Sequence, residues 1–182
     1  MAQISATAGD VIDVSAAARG VSNFTLDINF DSFSFDASGA AGNAVLTANI
    51  GAGNTITGIG WDVNIETVGA SWLSEPVFRF ADSSFADAGL FLTVGAGSDA
   101  PGAANFNSGG ILDLSDNGIP NITLVDGMLQ IEIFEGYDDA AGAVDAFLNG
   151  TLTLGLANAV PAPGAAALFG LGALGATRRR RG

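Results

Sequence analysis

The chain has 182 residues, enough for one domain with a sizeable core, and 48% of them are apolar. It contains no cysteine, no histidine and no lysine, which excludes disulfides, zinc–thiolate sites and every mechanism that depends on histidine. The formal net charge is −13. A surface that acidic repels nucleic acid and anionic lipid, because binding phosphates requires Lys or Arg.

Four segments alternate apolar and polar residues with the two-residue period of a β-strand. In chain order, their apolar members are Phe24, Leu26, Ile28 and Phe30; Ile59, Trp61, Val63 and Ile65; Leu129, Ile131 and Ile133; and Leu152, Leu154 and Leu156. Shorter apolar runs predict further strands at 45–50, 77–80, 90–94 and 122–125. Glycine, Asn, Asp and Ser fall between these runs as turn residues.

Strands with one apolar and one polar face belong to antiparallel sheets, and two such sheets must pack apolar face against apolar face. Residues 1–158 are therefore predicted to form an all-β sandwich, with a jelly roll as the favoured arrangement. Trp61 lies on an apolar face and is expected in the core. Residues 95–110 are rich in Gly, Ala, Asn and Ser and predict one long loop, a kind of segment that is often functional.

Without His, Cys or Lys, acid–base catalysis would fall to carboxylates, so a glycoside hydrolase is the enzymatic alternative. Glu132 and Glu135 are the nearest pair of glutamates. Glu132 lies on the polar face of its strand and is expected in solvent, and Glu135 follows the point where the alternation ends. A chain with 19 acidic residues produces such pairs by chance. We therefore expect no catalytic residues and a protein that is not an enzyme.

Calcium is the cofactor that the acidic segments best support. Asp138, Asp139 and Asp145 share the loop before the last strand, with no basic residue nearby in sequence. Neighbouring carboxylates repel each other, and a divalent cation with oxygen ligands relieves that repulsion. A solvated loop without metal is the open alternative. A second acidic segment, residues 113–118, lacks the closing Glu of an EF-hand and predicts an Asx-rich turn.

Trp72 lies in a segment without a clear period and is the residue best placed to be an exposed aromatic that contacts a ligand. A carbohydrate- or calcium-dependent binding module, with extracellular polysaccharide as its partner, is accordingly one hypothesis for function. A non-catalytic structural protein of the cell surface is the other.

The last 23 residues differ in composition from the rest of the chain. A linker, residues 159–164, contains the motif Val160, Pro161, Ala162 and Pro163. Residues 165–177 carry no charge and predict a short hydrophobic helix, and residues 178–182 form a basic tail with Arg178, Arg179, Arg180 and Arg181. The uncharged stretch is at the lower limit of the ~20 apolar residues that cross a bilayer, and arginine runs stay on its cytoplasmic side.

This order of a Pro-containing motif, a short apolar segment and a terminal arginine cluster resembles the PEP-CTERM sorting signal, with Ala162 where the family's motif has Glu. The resemblance implies export in a Gram-negative bacterium, transient anchoring in the inner membrane and processing by exosortase, a membrane protease-transpeptidase. It also implies a place in the cell envelope or extracellular matrix. Met1 to Ile4 show neither a basic nor an apolar leader region, so we expect a leader that was removed or that lies upstream.

Overall fold

The computed structural model describes residues 2–7, 11–13, 23–84, 89–139 and 142–157. Within these ranges the chain forms twelve β-strands, one short 3₁₀ turn and no α-helix. No helix in these ranges is long and apolar enough to cross a membrane. The sorting motif, the hydrophobic segment 165–177 and the arginines of the basic tail lie outside the described residues.

The strands follow the chain from β1 to β12, with the 3₁₀ turn η1 between β9 and β10. Their bounds are β1 Ala2–Thr7, β2 Val11–Asp13, β3 Asn23–Ser34, β4 Ala44–Asn49, β5 Thr55–Thr67, β6 Pro76–Asp82, β7 Leu90–Leu92, β8 Ala103–Asn107, β9 Leu112–Asp113, η1 Ser115–Asn117, β10 Ile122–Thr123, β11 Met128–Glu135 and β12 Ala146–Ala157. Each of the predicted strand segments overlaps one of these strands, although β7 and β10 end two residues before the predicted runs 90–94 and 122–125 do.

The strands form two sheets. The first has the order β1-β3-β12-β5-β10, with β8 and β9 also paired to β5, and the second has the order β2-β4-β11-β6-β7. Pairings among β3 to β12 are antiparallel, as predicted. The two N-terminal strands instead join in parallel, β1 beside β3 and β2 beside β4.

The apolar faces of both sheets contribute to one buried cluster. Leu26, Leu152 and Leu154 from the first sheet and Ile131 and Phe78 from the second are all buried in it. The predicted register of β5 is confirmed, because Trp61 lies opposite Leu152 and packs against this core. Its burial is only partial, and the same is true of Phe24, which the alternation placed fully inside.

The predicted loop at 95–110 is partly wrong, because β8 lies within it and pairs with β5. The segment between β8 and β9, which both pair with β5, lies directly against that strand. A side chain at Gly60 would place its Cβ 2.8 Å from the Gly110 carbonyl oxygen, so this close approach depends on glycine at that position. Five residues with a single large apolar side chain, Phe106, carry too weak an alternation to predict this strand.

The Asx-rich turn predicted for residues 113–118 is confirmed. Asp113 Oδ1 accepts hydrogen bonds from Ser115 Oγ at 2.6 Å and from the Asp116 amide at 3.1 Å. These bonds stabilise the ionised carboxylate and hold the pKa of Asp113 below its ordinary value. Gly118 ends the turn in the left-handed region, with φ of 71°.

Candidate functional site

Three connecting segments meet at one end of the two sheets. They are the β5–β6 segment, residues 68–75; the β7–β8 segment, residues 93–102; and the β11–β12 segment, residues 136–145. The Leu73 amide donates to the Ala100 carbonyl at 3.0 Å, and the Gly136 amide donates to the Glu75 carbonyl at 2.9 Å. Gly95 packs so closely on the first segment that an added Cβ would lie 2.0 Å from the Leu73 oxygen. Backbone contacts therefore hold the three segments in one arrangement.

An open cleft of about 720 Å³ lies between these segments. Its lining comprises Ala70, Trp72, Ser74, Glu75, Val77, Thr93, Asp99, Gly136, Tyr137 and Asp139. Two aromatic side chains are accessible there, since Trp72 is 44% and Tyr137 is 67% exposed. Each segment also supplies one acid, and none of these lining residues is basic. We call this the aromatic–acidic cleft.

Short hydrogen bonds orient two of the cleft acids. The Trp72 amide donates to Glu75 Oε2 at 2.6 Å, and Ser74 Oγ donates to Asp99 Oδ1 at 2.8 Å. Partial burial raises the pKa of Glu75, the bond from Trp72 opposes the shift, and the charges of Asp139, Asp145 and Asp99 add to it. The acids of the three segments therefore act on one another electrostatically.

Two fully buried carboxylates lie behind the cleft. Glu135 is 2% exposed, immediately before Gly136 of the lining, and neither of its carboxylate oxygens has a hydrogen-bond partner among the described residues. Burial raises its pKa to about 8, the nearby Ser34 hydroxyl opposes the rise, and Asp145, Glu75 and Asp138 add to it. A carboxyl group in this position is protonated over most of the neutral range.

Asp145 is the second buried carboxylate, at 1% exposed. Ser71 Oγ donates to its Oδ1 at 3.0 Å, while its Oδ2 has no partner among the described residues. Burial raises its pKa, the Ser71 bond opposes the shift, and Asp138, Asp139 and Asp36 add repulsion. The row of acidic groups thus continues from the cleft into the interior, where burial disfavours their ionised forms.

The predicted calcium ligands do not lie in equivalent surroundings. Asp139 lines the cleft, Asp138 is partly buried, and Asp145 is buried beside Ser71. No group of three or more acidic side chains within the described ranges is arranged so that it could hold a metal ion. The calcium site stays a prediction.

Trp72 is exposed, as the candidate ligand aromatic would have to be. The sequence did not indicate Glu75, Asp99 or Tyr137 as its neighbours. Glu75 is only three residues from Trp72, in a segment without a period, whereas Asp99 and Tyr137 are distant in sequence and only the folded arrangement brings them to this cleft.

The expectation that Glu132 lies in solvent is wrong. It is 3% exposed, because residues 36–43 fold over its face of the sheet. Its carboxylate accepts from Ser38 Oγ at 2.9 Å, from the Gly39 amide at 2.5 Å and from Asn43 Nδ2 at 2.8 Å. Arg79 Nη1 lies 3.7 Å from Glu132 Oε2.

Glu132 and Glu135 also lie on opposite faces of β11, since side chains alternate along a strand and these two are three positions apart. A glycosidase needs two carboxyl groups that face one substrate from the same cleft. The fold does not bring this pair together for such a reaction.

No protein-family model, no curated protein and no solved structure significantly matches this chain. By its geometry this is a protein of two mainly antiparallel sheets around one core, with an aromatic–acidic cleft built from connecting segments at one end.

Proposed function

We propose that this chain is a non-catalytic, exported bacterial surface protein whose two-sheet domain binds carbohydrate in the aromatic–acidic cleft. The observation that carries the proposal is the exposure of Trp72 beside Tyr137, in a cleft that also presents three carboxylates. Aromatic rings offer flat apolar surface to the C–H face of a sugar, and carboxylates accept hydrogen bonds from its hydroxyl groups. Extracellular polysaccharide is the partner that this chemistry and an exported location favour.

The cleft is preorganised for this role. The backbone bonds among the three segments and the bonds that orient Glu75 and Asp99 are all made between groups of the protein itself. Binding therefore requires little ordering of the protein, which lowers its entropic cost.

Calorimetric titration of the full chain with a panel of neutral and charged oligosaccharides tests the proposal. Trp72→Ala should abolish or strongly weaken binding. Phe147→Ala is the matched control, because Phe147 is also half-exposed but lies on β12 outside the cleft. The proposal fails if no oligosaccharide binds, or if both variants bind as the unmodified chain does.

Delivery through the C-terminal segment is a separate proposal, supported by the PEP-CTERM resemblance of residues 160–182. We expect a leader-bearing chain, expressed in a host that has exosortase, to lose the residues that follow the Pro161–Pro163 motif. Replacing all four arginines should abolish retention at the inner membrane, because the apolar run alone is too short to act as a stop. An intact C-terminus in the secreted protein would contradict this route.

A ligand-free structural role in the envelope or matrix is the second candidate, and the outer face of the first sheet favours it. Thr151 Oγ1 donates to Asn29 at 2.7 Å, and Thr153 Oγ1 donates to Asp27 at 2.7 Å. These cross-strand bonds make a stiff, hydrated polar surface suited to a structural unit. If cells that produce the Trp72→Ala variant keep an intact extracellular matrix, the structural role is favoured over carbohydrate binding.

We further infer a jelly-roll arrangement of the strands. Its support is the alternation of successive strands between the sheets, with β3 and β5 in the first and β4 and β6 in the second. An experimental structure that establishes the strand order and every connection between the two sheets would test it.

A further inference from the structure

Three acidic residues and no basic residue are among the described residues that line the aromatic–acidic cleft. Glu75, Asp99 and Asp139 come from three different segments and line it together. Arg79 is the single basic residue within the described ranges, and its guanidinium faces Glu132 on the other side of β11. A positively charged ligand would therefore compensate the charge of the cleft.

The surroundings strengthen this preference for positive charge. Asp145 lies buried behind the cleft, and its Oδ2 has no hydrogen-bond partner among the described residues. Partial burial raises the pKa of Glu75, and repulsion from Asp139, Asp145 and Asp99 adds to the rise. A positive group in the cleft would relieve that repulsion, whereas an anionic ligand would add to it.

The exposed rings restrict the kind of cation. Trp72 and Tyr137 can stack on the apolar face of a sugar ring, and aromatic faces also attract ammonium groups. A polymer that repeats an apolar ring and an ammonium group satisfies both requirements. Carboxylates spaced over three segments suit several separate charges on such a polymer better than one compact ion.

On these observations we infer that the cleft selects an amino-sugar glycan with free amino groups, such as an N-deacetylated glucosamine polymer, over neutral or acidic glycans. The inference rests on the proposed carbohydrate-binding function and names its ligand class. It requires no covalent step, only charge-assisted contacts between ammonium groups and the three cleft acids.

The test compares three hexasaccharides by titration calorimetry of the full 182-residue chain, with chelator present throughout. They are the hexamers of glucosamine, of N-acetylglucosamine and of glucose. We expect the glucosamine hexamer to bind about tenfold more tightly than the other two at low salt, with an advantage that shrinks as salt screens the charges. Trp72→Ala should weaken all three.

Charge variants separate the cleft from the general acidity of the chain. Asp99→Asn with Asp139→Asn should weaken binding of the glucosamine hexamer about three- to tenfold, as expected for the loss of two exposed ion pairs, and change the N-acetylated hexamer less than about twofold. Asp31→Asn with Asp116→Asn is the matched control, because both residues are exposed and lie outside the cleft.

A second measurement is proton release. Because an ammonium group near Glu75 favours its ionised form, binding of the glucosamine hexamer should release protons near the pKa of that residue, and the heat should then depend on the buffer. The N-acetylated hexamer should show no such dependence.

The outcomes distinguish the inference from the function on which it rests. Equal affinity for all three hexamers, lost in Trp72→Ala, would overturn the preference for amino groups and leave carbohydrate binding intact. Failure of every hexamer to bind would overturn both. Binding of the glucosamine hexamer that both pairs of charge variants weaken equally would show attraction to net charge alone, and would also overturn the inference.

Discussion

Two glutamates on the same strand, Glu132 and Glu135, are buried to the same extent but in opposite conditions. Glu132 lies under residues 36–43, with three hydrogen-bond donors and the Arg79 guanidinium around its carboxylate. Glu135 lies beside the cleft with no partner for either oxygen among the described residues. The molecule thus compensates a buried acid where it covers a sheet, and leaves acids uncompensated where the connecting segments form a cleft. A buried acid without compensation costs stability, and groups of this kind cluster at functional sites.

The largest effect should come from breaking the compensated site. Glu132→Gln removes the charge that faces Arg79 in a mostly buried place, and we expect it to lower the free energy of unfolding by about 4 kcal/mol at pH 7. Urea denaturation measures the change. Glu66→Gln, on the exposed face of β5, should change stability by less than about 0.5 kcal/mol. Equal effects of the two variants would show that the Glu132 network contributes nothing.

The buried Glu135 carboxyl group should make the free energy of unfolding depend on pH. The pKa of Glu135 rises from 4.5 to about 8 on folding, so between these values the folded state holds a proton that the unfolded state has lost. Stability is then fully present below pH 4.5 and falls as pH rises toward 8. We expect a loss on the order of 3 kcal/mol between pH 5 and pH 8.5.

Glu135→Gln should remove most of this slope and leave the variant more stable than the unmodified chain at pH 8.5. The raised pKa values of Asp145 and Glu75 act with the same sign, so a smaller slope should persist. Glu132→Gln serves as the control and should keep the full slope. A flat profile for the unmodified chain would mean that Glu135 is compensated in solution.

Removing a single hydroxyl donor should have an effect of intermediate size. Ser71→Ala deletes the side-chain bond to buried Asp145, and we expect it to cost about 1–2 kcal/mol. Ser38→Ala deletes one of several bonds to Glu132 and should cost less than about 1 kcal/mol, because the other donors remain. Thermal unfolding of the two variants side by side measures the difference, and the reverse order would contradict it.

Calcium should give the smallest effect. If Asp138, Asp139 and Asp145 hold calcium, the ion should stabilise the folded state by about 0.4 kcal/mol when its concentration equals Kd, and more above it. The melting temperature should rise with millimolar calcium and fall again with chelator. Sodium chloride at equal ionic strength controls for screening. A shift that salt reproduces, or that Asp139→Asn leaves unchanged, would rule out the site.

How much could be predicted depended on how local each signal is. The strand around Ile59 to Ile65 was readable because alternation along a strand is a property of neighbouring residues. The same alternation correctly assigned Glu132 to the outer face of β11 and then predicted solvent around it. That error arose because residues 36–43, distant in sequence, cover the face, and no local pattern reports a covering loop.

The sequence by itself determined the β class, the faces of the long strands, the acidic charge and the unusual C-terminal segment. Each follows from composition or from a period of two residues. Only the tertiary structure decided that β8 lies in the glycine-rich stretch, that Glu132 is buried and Glu135 uncompensated, and that Trp72 shares a cleft with Asp99, Tyr137 and Asp139. These features depend on which distant segments meet when the two sheets pack around one core. Long-range packing determines those contacts, and the residues that are neighbours in sequence do not.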